Sequence, residues 1–489
     1  MEQAGKAVGA IWNDTRQSME QPSPGEGLTT KFITLGQLLN IVDGTLIRGK
    51  KDLLLSSANY GKPKYLRAEH LYFFSIKKSR TDQLNAIRRV GPRAVVIPSS
   101  VSALSVPLST AVISVREPYV AFWRLAMWNW KQAAVKVVGI TGSAGKSTTT
   151  EMVSAILSQK KPIVKTMGNL NTFTYLPSYL TRLSPRHEYL VLEMGMKSLN
   201  NIARQCRIVR PDIGVVTNVG EAHVGSLGNL DTIVRAKQEL IDGMNPKGIL
   251  WLNADNERSR KLSTRNFSGK VYTFGIKNIA DIRAKDIEQR TNGLVFTACF
   301  DGKSVPFFIP AIGRHNVYNA LAAIGVARSL GIPIEQIRKG LAVFRPPRMR
   351  MQLVKGSRNR WLINDAWNAN PSAMVAGLKS FREWEAKRPH VAVLGDMLEL
   401  GHLTRSAHQQ VGWIAAHLPL TQLITVGKYA RLIAQSAIKK GMDPKKVFHY
   451  HSIAPLLRHL KQLPDNAVIY FKASRKMHLE KVIRKLKKG

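Results

Sequence analysis

The stretch 135–148 constrains the fold of this chain more than any other. Residues 135–140 form a short apolar run, Gly142, Ser143, Ala144, Gly145, Lys146 and Ser147 follow, and a helix-forming segment opens at Thr148. A strand that passes through a glycine-rich turn into a helix aims backbone N–H groups and the positive helix end at one point, which suits a phosphate. In that arrangement Lys146 reaches the outer phosphates and the Ser147 hydroxyl holds Mg²⁺. Position 140 is Ile rather than Gly, so the eight-residue Walker spacing is not met. The flanking strand and helix favour a phosphate loop over a plain glycine turn.

The pattern around this loop predicts an α/β protein of three domains. Further strands are expected at 189–193, 213–217, 249–253 and 271–274, with helical segments between several of them. That cadence belongs to a parallel, doubly wound sheet. An amphipathic helix is expected over 315–330, stopped by Gly331. A second α/β series follows, with strands at 361–364, 391–394, 423–426 and 468–471 and helices at 372–387, 406–417 and 429–440. Before the loop, short apolar runs at 33–42, 71–74, 94–98 and 111–115 read as a smaller α/β domain, joined to the rest by a Trp-rich helical connector over 121–134. The reading is a polar arm at 1–29, an N-terminal domain at 30–130, a central phosphate-loop ATPase-like domain at 131–345 and a Rossmann-like C-terminal domain at 346–489. A length of 489 residues fits about three domains.

Composition narrows the partners. With 73 Lys+Arg against 32 Asp+Glu the formal net charge is +41, which favours anionic ligands. No zinc-finger spacing or aromatic-interleaved basic repeat is present, so the charge reads as a solvated cationic surface without a dedicated nucleic-acid site, compatible with association to an anionic surface. No apolar run approaches the roughly 18 residues of a membrane span. The start Met1-Glu2-Gln3-Ala4-Gly5 lacks the order of a signal peptide. Two cysteines, Cys206 and Cys299, exclude a disulfide framework, and the expected location is the reducing cytoplasm.

Two later strand ends offer ligands for a hard cation. Glu193 closes an apolar run, and a carboxylate at the end of a buried strand needs a cation or a paired partner. His223, six residues beyond Thr217, is on its own most simply a structural loop histidine; beside a phosphate loop and Glu193 it becomes a candidate Mg²⁺ ligand.

Several motifs together resemble the Mur ligases. They are Gly139-Ile140-Thr141-Gly142-Ser143-Ala144-Gly145-Lys146-Ser147-Thr148-Thr149, Glu193-Met194-Gly195, Thr217-Asn218-Val219-Gly220-Glu221-Ala222-His223, Ala236-Lys237 and Gly313-Arg314-His315-Asn316-Val317-Tyr318-Asn319-Ala320. Ile363-Asn364-Asp365-Ala366-Trp367-Asn368-Ala369-Asn370-Pro371 and Leu394-Gly395-Asp396-Met397-Leu398-Glu399-Leu400-Gly401 are similar to the branch that adds D-alanyl-D-alanine to a UDP-N-acetylmuramoyl tripeptide. The likeness runs from about 135 to 488 in order. It implies ATP, two Mg²⁺ ions and an acyl-phosphate intermediate attacked by an amine, in the synthesis of peptidoglycan precursors. It implies that residues 142–148 bind the nucleotide, that Ser147, Glu193 and His223 hold metal, and that Lys237 is carbamylated to become a further Mg²⁺ ligand. Asn316 and Asn319 match an adenine-side pair, Arg350 the arginine that reaches the transferred phosphate, and Asp365 an acidic residue on the nucleotide side. Asn169 and Asn171 match a substrate loop, and Asn368, Asn370, Lys472, Ser474 and Arg475 match the region that receives the dipeptide. From the residues alone, Asn368 and Asn370 read equally as an Asx turn before Pro371, and Lys472 and Arg475 as surface charges.

The departures fall on substrate recognition. Thr172, Tyr175, Trp367, Ala473 and the pair Asn200-Asn201 stand where the family usually has other residues. The nucleotide-sugar signature expected near 56–62 is replaced by Ser56-Ser57-Ala58-Asn59-Tyr60-Gly61-Lys62. Two further readings therefore stand beside the leading one: a paralogue joining a different carboxylate and amine, and a basic binding protein on a retired ligase scaffold.

Overall fold

The computed structural model describes residues 33–196, 198–220, 229–385 and 387–488. His223 and the arm at 1–29 lie outside these residues. The chain divides into two compact units, one made of residues 33–133 with Pro177–Pro185, the other of the remaining described residues.

The first unit is a five-stranded sheet in the order Thr45–Arg48, Ala111–Val115, Ala94–Pro98, His70–Phe73, Ser57–Tyr60, with only Thr45–Arg48 antiparallel to its neighbour. Successive side chains alternate between faces. Phe73, Val96 and Ile113 therefore pack with the helices Leu35–Val42 and Pro118–Trp130, whereas Tyr72, Val95 and Val112 pack on the other side with Arg80–Val90. The run expected only as apolar at 33–42 is mostly helix, started by a Thr34–Gln37 capping box. Asn129 donates from Nδ2 to the carbonyls of Leu180 (2.7 Å) and Leu183 (2.8 Å), which ties the segment Pro177–Pro185 to this unit although it lies beyond the phosphate loop in sequence.

The second unit contains two sheets. The larger has nine strands, in the order Lys303–Ile309, Gly293–Phe300, Ile282–Arg290, Lys270–Gly275, Ile249–Asn253, Ile213–Val216, Lys136–Thr141, Tyr189–Glu193, Ile163–Lys165. From Ile282–Arg290 to Ile163–Lys165 the strands run parallel. Gly293–Phe300 and Lys303–Ile309 complete an antiparallel meander that the sequence reading did not anticipate. Ile282–Arg290 reads Ile-Arg-Ala-Lys-Asp-Ile-Glu-Gln-Arg, buried on one face only, and Lys303–Ile309 carries Pro306, which an edge strand tolerates. The order of connection reverses across Lys136–Thr141: Tyr189–Glu193 lies on one side and Ile213–Val216 on the other. Such a switch point opens a crevice at the carboxyl ends of the strands.

The smaller sheet has six strands, Gln352–Lys355, Trp361–Asn364, Val468–Lys472, His390–Gly395, Gln422–Val426 and Val447–Tyr450, parallel except for Gln352–Lys355. Helices cover both faces, with Leu378, Phe381 and Val411 in one core and Leu456, Val482 and Leu486 in the other. Two expectations need correction. The helix His315–Ser329 is not amphipathic: it is buried on nearly every side, because the larger sheet and the helices Lys146–Leu157 and Ile334–Val343 surround an Ala- and Val-rich sequence. The helix expected over 372–387 stops at Glu383, where Trp384 turns extended and fills the core.

Candidate active site

The phosphate loop sits at the switch point. Gly142 has φ +148° and Gly145 φ +84°, values that L side chains rarely adopt. A Cβ on Gly142 would lie 1.9 Å from Thr217 Oγ1, and one on Gly145 2.3 Å from Asn319 Oδ1, so both positions exclude a side chain. The loop is braced from the next strand end: Ala144 N donates to Asn218 Oδ1 (2.9 Å), Thr217 Oγ1 to Ala144 O (2.6 Å), and Gly220 N to Ser143 Oγ (2.9 Å). Lys146 opens the helix and folds back to Gly142 O at 2.7 Å. Thr148 lies in the first turn of the same helix and is half-buried.

Glu193 ends the adjacent strand, opposite Ile140, and is 3% exposed. Its Oε2 accepts from Ser147 Oγ (2.8 Å) and its Oε1 from Asn171 Nδ2 (2.6 Å). Thr166 Oγ1 accepts from its backbone N (3.0 Å). Hydroxyl and carboxylate oxygens at this separation fit Mg²⁺, which takes oxygen donors and keeps several waters and phosphate oxygens. Asn169, by contrast, is exposed and outside this cluster.

Lys237 reaches the same place from the helix Leu230–Gly243. It is 1% exposed, and its ammonium has Thr141 Oγ1 at 3.2 Å and Met196 Sδ at 3.5 Å. Burial, and then Lys146, hold its pKa well below the usual lysine range, against Glu193 and Glu239. Burial also lowers Lys146, with Glu193 opposing and Arg350 assisting. Arg350 is lowered by burial against the pull of Asp365 and Glu193. A lysine is a nucleophile toward CO₂ only in its neutral form, which burial favours, and an ammonium is no metal ligand.

Asn319 lies against the loop at Gly145 from the helix His315–Ser329, with Asn316 one turn before it. Asn319 donates to Asn316 Oδ1 (3.0 Å) and accepts from Thr149 Oγ1 (3.3 Å), and Asn316 donates to Ile312 O (2.8 Å). Both side chains are therefore engaged within the protein. His315 bonds through Nδ1 to Ser380 Oγ (3.1 Å), and burial pushes its pKa down to about 4.

The second cluster lies on the smaller sheet. Asp365 accepts from Met351 N (3.2 Å), the Tyr470 hydroxyl (3.0 Å) and Lys472 Nζ (2.6 Å). Asn370 caps the helix Pro371–Glu383 by accepting from Ala373 N (2.9 Å), and Asn368 Oδ1 accepts from Ala369 N (2.9 Å), so both serve the local turn. Ser474 Oγ accepts from Leu398 N (2.8 Å). Arg475 lies over the Trp367 ring (5.7 Å) and pairs with Glu480 (2.9 Å). Sequence reasoning assigned no roles to Thr141, Met196, Thr217, Asn218 and Tyr470. For Thr217 and Asn218 the signal was present, since they directly follow a strand beside the loop.

Among the described residues no helix is long and apolar enough to cross a membrane. The Mur ligase middle domain matches residues 140–327, and the Mur ligase glutamate ligase domain matches 349–475. The chain is 34% identical over 422 residues to the UDP-N-acetylmuramoyl-tripeptide--D-alanyl-D-alanine ligase of Bacillus subtilis, covering 86% of this chain and 90% of that one. It is 31% identical over 464 residues to the Escherichia coli protein of the same name, covering 94% and 99%. A crystal structure of MurF from Acinetobacter baumannii superposes with a TM-score of 0.80 at 27% identity, covering 94% of this chain and 99% of that one.

Proposed function

The chain belongs to the Mur ligase family, and we propose that it joins D-alanyl-D-alanine to a UDP-N-acetylmuramoyl tripeptide, as the relatives' names state for them. It is an ATP-dependent ligase. The observation that carries the reading is the convergence of Lys146, Ser147, Glu193 and Lys237 at the ends of adjacent strands, in a chain colinear with those ligases. A binding protein on a retired scaffold has no chemical use for that set.

In the reaction the tripeptide carboxylate attacks the γ-phosphorus of ATP and ADP leaves. The dipeptide amine then attacks the acyl phosphate, the C–O bond to phosphate breaks, and the amine proton goes to a base. The loop N–H groups and Lys146 hold the phosphates, where their positive charge matches the charge on the transferring group. Ser147 and Glu193 would hold Mg²⁺ together with His223, and that ion would neutralise phosphate charge. Arg350, which is electrostatically coupled to Asp365 and Glu193, would reach the transferred phosphate. Lys237 as a carbamate would offer an oxygen ligand in place of a cation.

The test is phosphate release from Mg-ATP with the UDP-muramoyl tripeptide alone, with D-Ala-D-Ala alone, and with both. Release that needs both, with a product heavier by one dipeptide, is expected. Mg-ATP binding without turnover under all three conditions would sink this substrate assignment and leave the paralogue with another carboxylate and amine.

A further inference from the structure

Lys472 ends the strand Val468–Lys472 and is 2% exposed. Its ammonium donates to Asp365 Oδ2 at 2.6 Å and to Asn368 O at 3.1 Å, with Asp365 O at 3.5 Å. An ammonium carries three protons, and here each faces a protein acceptor. A substrate carboxylate could take this cation only by displacing Asp365 and stranding its charge in a buried place. Three residues on, Arg475 presents a side chain that is 42% exposed, steadied by Glu480 and the face of Trp367.

We propose that Lys472 is a positioning residue and not a ligand of the incoming dipeptide. It fixes the Asp365 carboxylate on the nucleotide side and, through the Asn368 carbonyl, the turn from Asp365 to Asn370. The carboxylate of the acceptor is left to the exposed cation, Arg475. The same Asp365 carboxylate accepts from Met351 N, next to Arg350, so Lys472 links the strand end that faces the acceptor to the segment that carries the phosphate-side arginine. This inference rests on the dipeptide ligase reading above.

The experiment uses the full chain and two acceptors, D-Ala-D-Ala and its C-terminal amide, with kcat and KM measured for each and for ATP. Lys472→Met should lower kcat by about tenfold or more and raise the KM for ATP, since small misplacements are costly in a preorganised site. The acid-to-amide ratio of kcat/KM should stay within about twofold of wild type, because the terminal charge is read elsewhere. Lys472→Arg, which keeps a cation for Asp365, should recover much of kcat. Arg475→Gln should collapse the acid-to-amide ratio by about tenfold, the loss expected for one partly exposed charge contact. A Lys472→Met or Lys472→Arg enzyme that loses the acid-to-amide preference, or an Arg475→Gln enzyme that keeps it, overturns the proposal. If wild type turns over neither acceptor, the substrate reading fails, and Mg-ADP titration still decides the role of Lys472. Weaker binding by Lys472→Met, with Lys472→Arg close to wild type, upholds the positioning role; unchanged binding in both refutes it.

Discussion

Replacing Gly145 by Ala tests the phosphate loop with one methyl group. The backbone there has φ +84° and ψ −18°, and an L side chain in that region costs about 1–2 kcal/mol. The new Cβ would sit 2.3 Å from Asn319 Oδ1. Ordinary contact is about 3.5 Å, so the amide must retreat by about 1 Å. Retreat breaks its bonds to Thr149 (3.3 Å) and Asn316 (3.0 Å), each worth about 1 kcal/mol. The expected loss is about 3–4 kcal/mol when these contributions are combined. The assay is urea unfolding of the full chain, following the transition that Mg-ADP displaces, because a ligand shifts only the unit it binds. Adding Asn319→Ala should relieve the clash and leave the backbone strain, so the double variant should be about 1–2 kcal/mol more stable than additivity allows. A Gly145→Ala protein as stable as wild type, or strict additivity in the double variant, would refute the assigned geometry.

The other predictions concern charge. Glu193→Gln keeps the shape that receives Ser147 and Asn171 but removes the carboxylate, so turnover should fall and the Mg²⁺ concentration for half-maximal rate should rise about 10–100-fold; an unchanged Mg²⁺ requirement would exclude Glu193 from the metal site. Lys237→Ala should be inactive and regain partial turnover with added short-chain carboxylic acid, and normal turnover without the acid would exclude the carbamate. His315 should make stability pH-dependent: the unfolded chain takes up a proton near 6.5 that the folded chain refuses until about 4. Stability should therefore be full above that window and fall as pH drops through it, by up to about 3 kcal/mol, and His315→Gln should flatten this component of urea midpoints between pH 7 and 4.5.

What the sequence made legible follows from how local each signal is. The phosphate loop and Glu193 were readable because their chemistry is written in neighbouring residues: glycines between a strand and a helix, and a carboxylate closing an apolar run. Lys237 needed the resemblance, although its burial has a local trace. Ile233, Ala236, Lys237, Leu240 and Ile241 fall at helical spacing on one buried stripe, and a lysine inside such a stripe signals a special environment. The ion pair of Lys472 with Asp365 had no such trace, since its partners are 107 positions apart and meet only because Trp361–Asn364 and Val468–Lys472 are sheet neighbours. The meander from Ile282 to Ile309 escaped for the opposite reason: one-sided burial and Pro306 dilute the apolar pattern that reveals interior strands.

The charges around the loop acquire a common logic once they are taken together. Lys146, Lys237 and Arg350 are each held below their ordinary pKa, by burial first, and Lys237 and Lys146 are each lowered further by another cation of the cluster. Of the acidic groups acting on them, Asp365 is already bound to Lys472 and Glu239 to the backbone N–H groups of Asn200, Ile202 and Ala203, which leaves Glu193 as the central counter-charge. Burying like charges together is costly unless something anionic completes the site. A nucleotide phosphate chain does so directly. A carbamate on Lys237 would do so twice over, by deleting one cation and adding an anion beside Lys146. If Lys237 carries that carbamate, Lys237→Ala removes the cation and the anion together, and the missing anion is what an added carboxylic acid would have to restore.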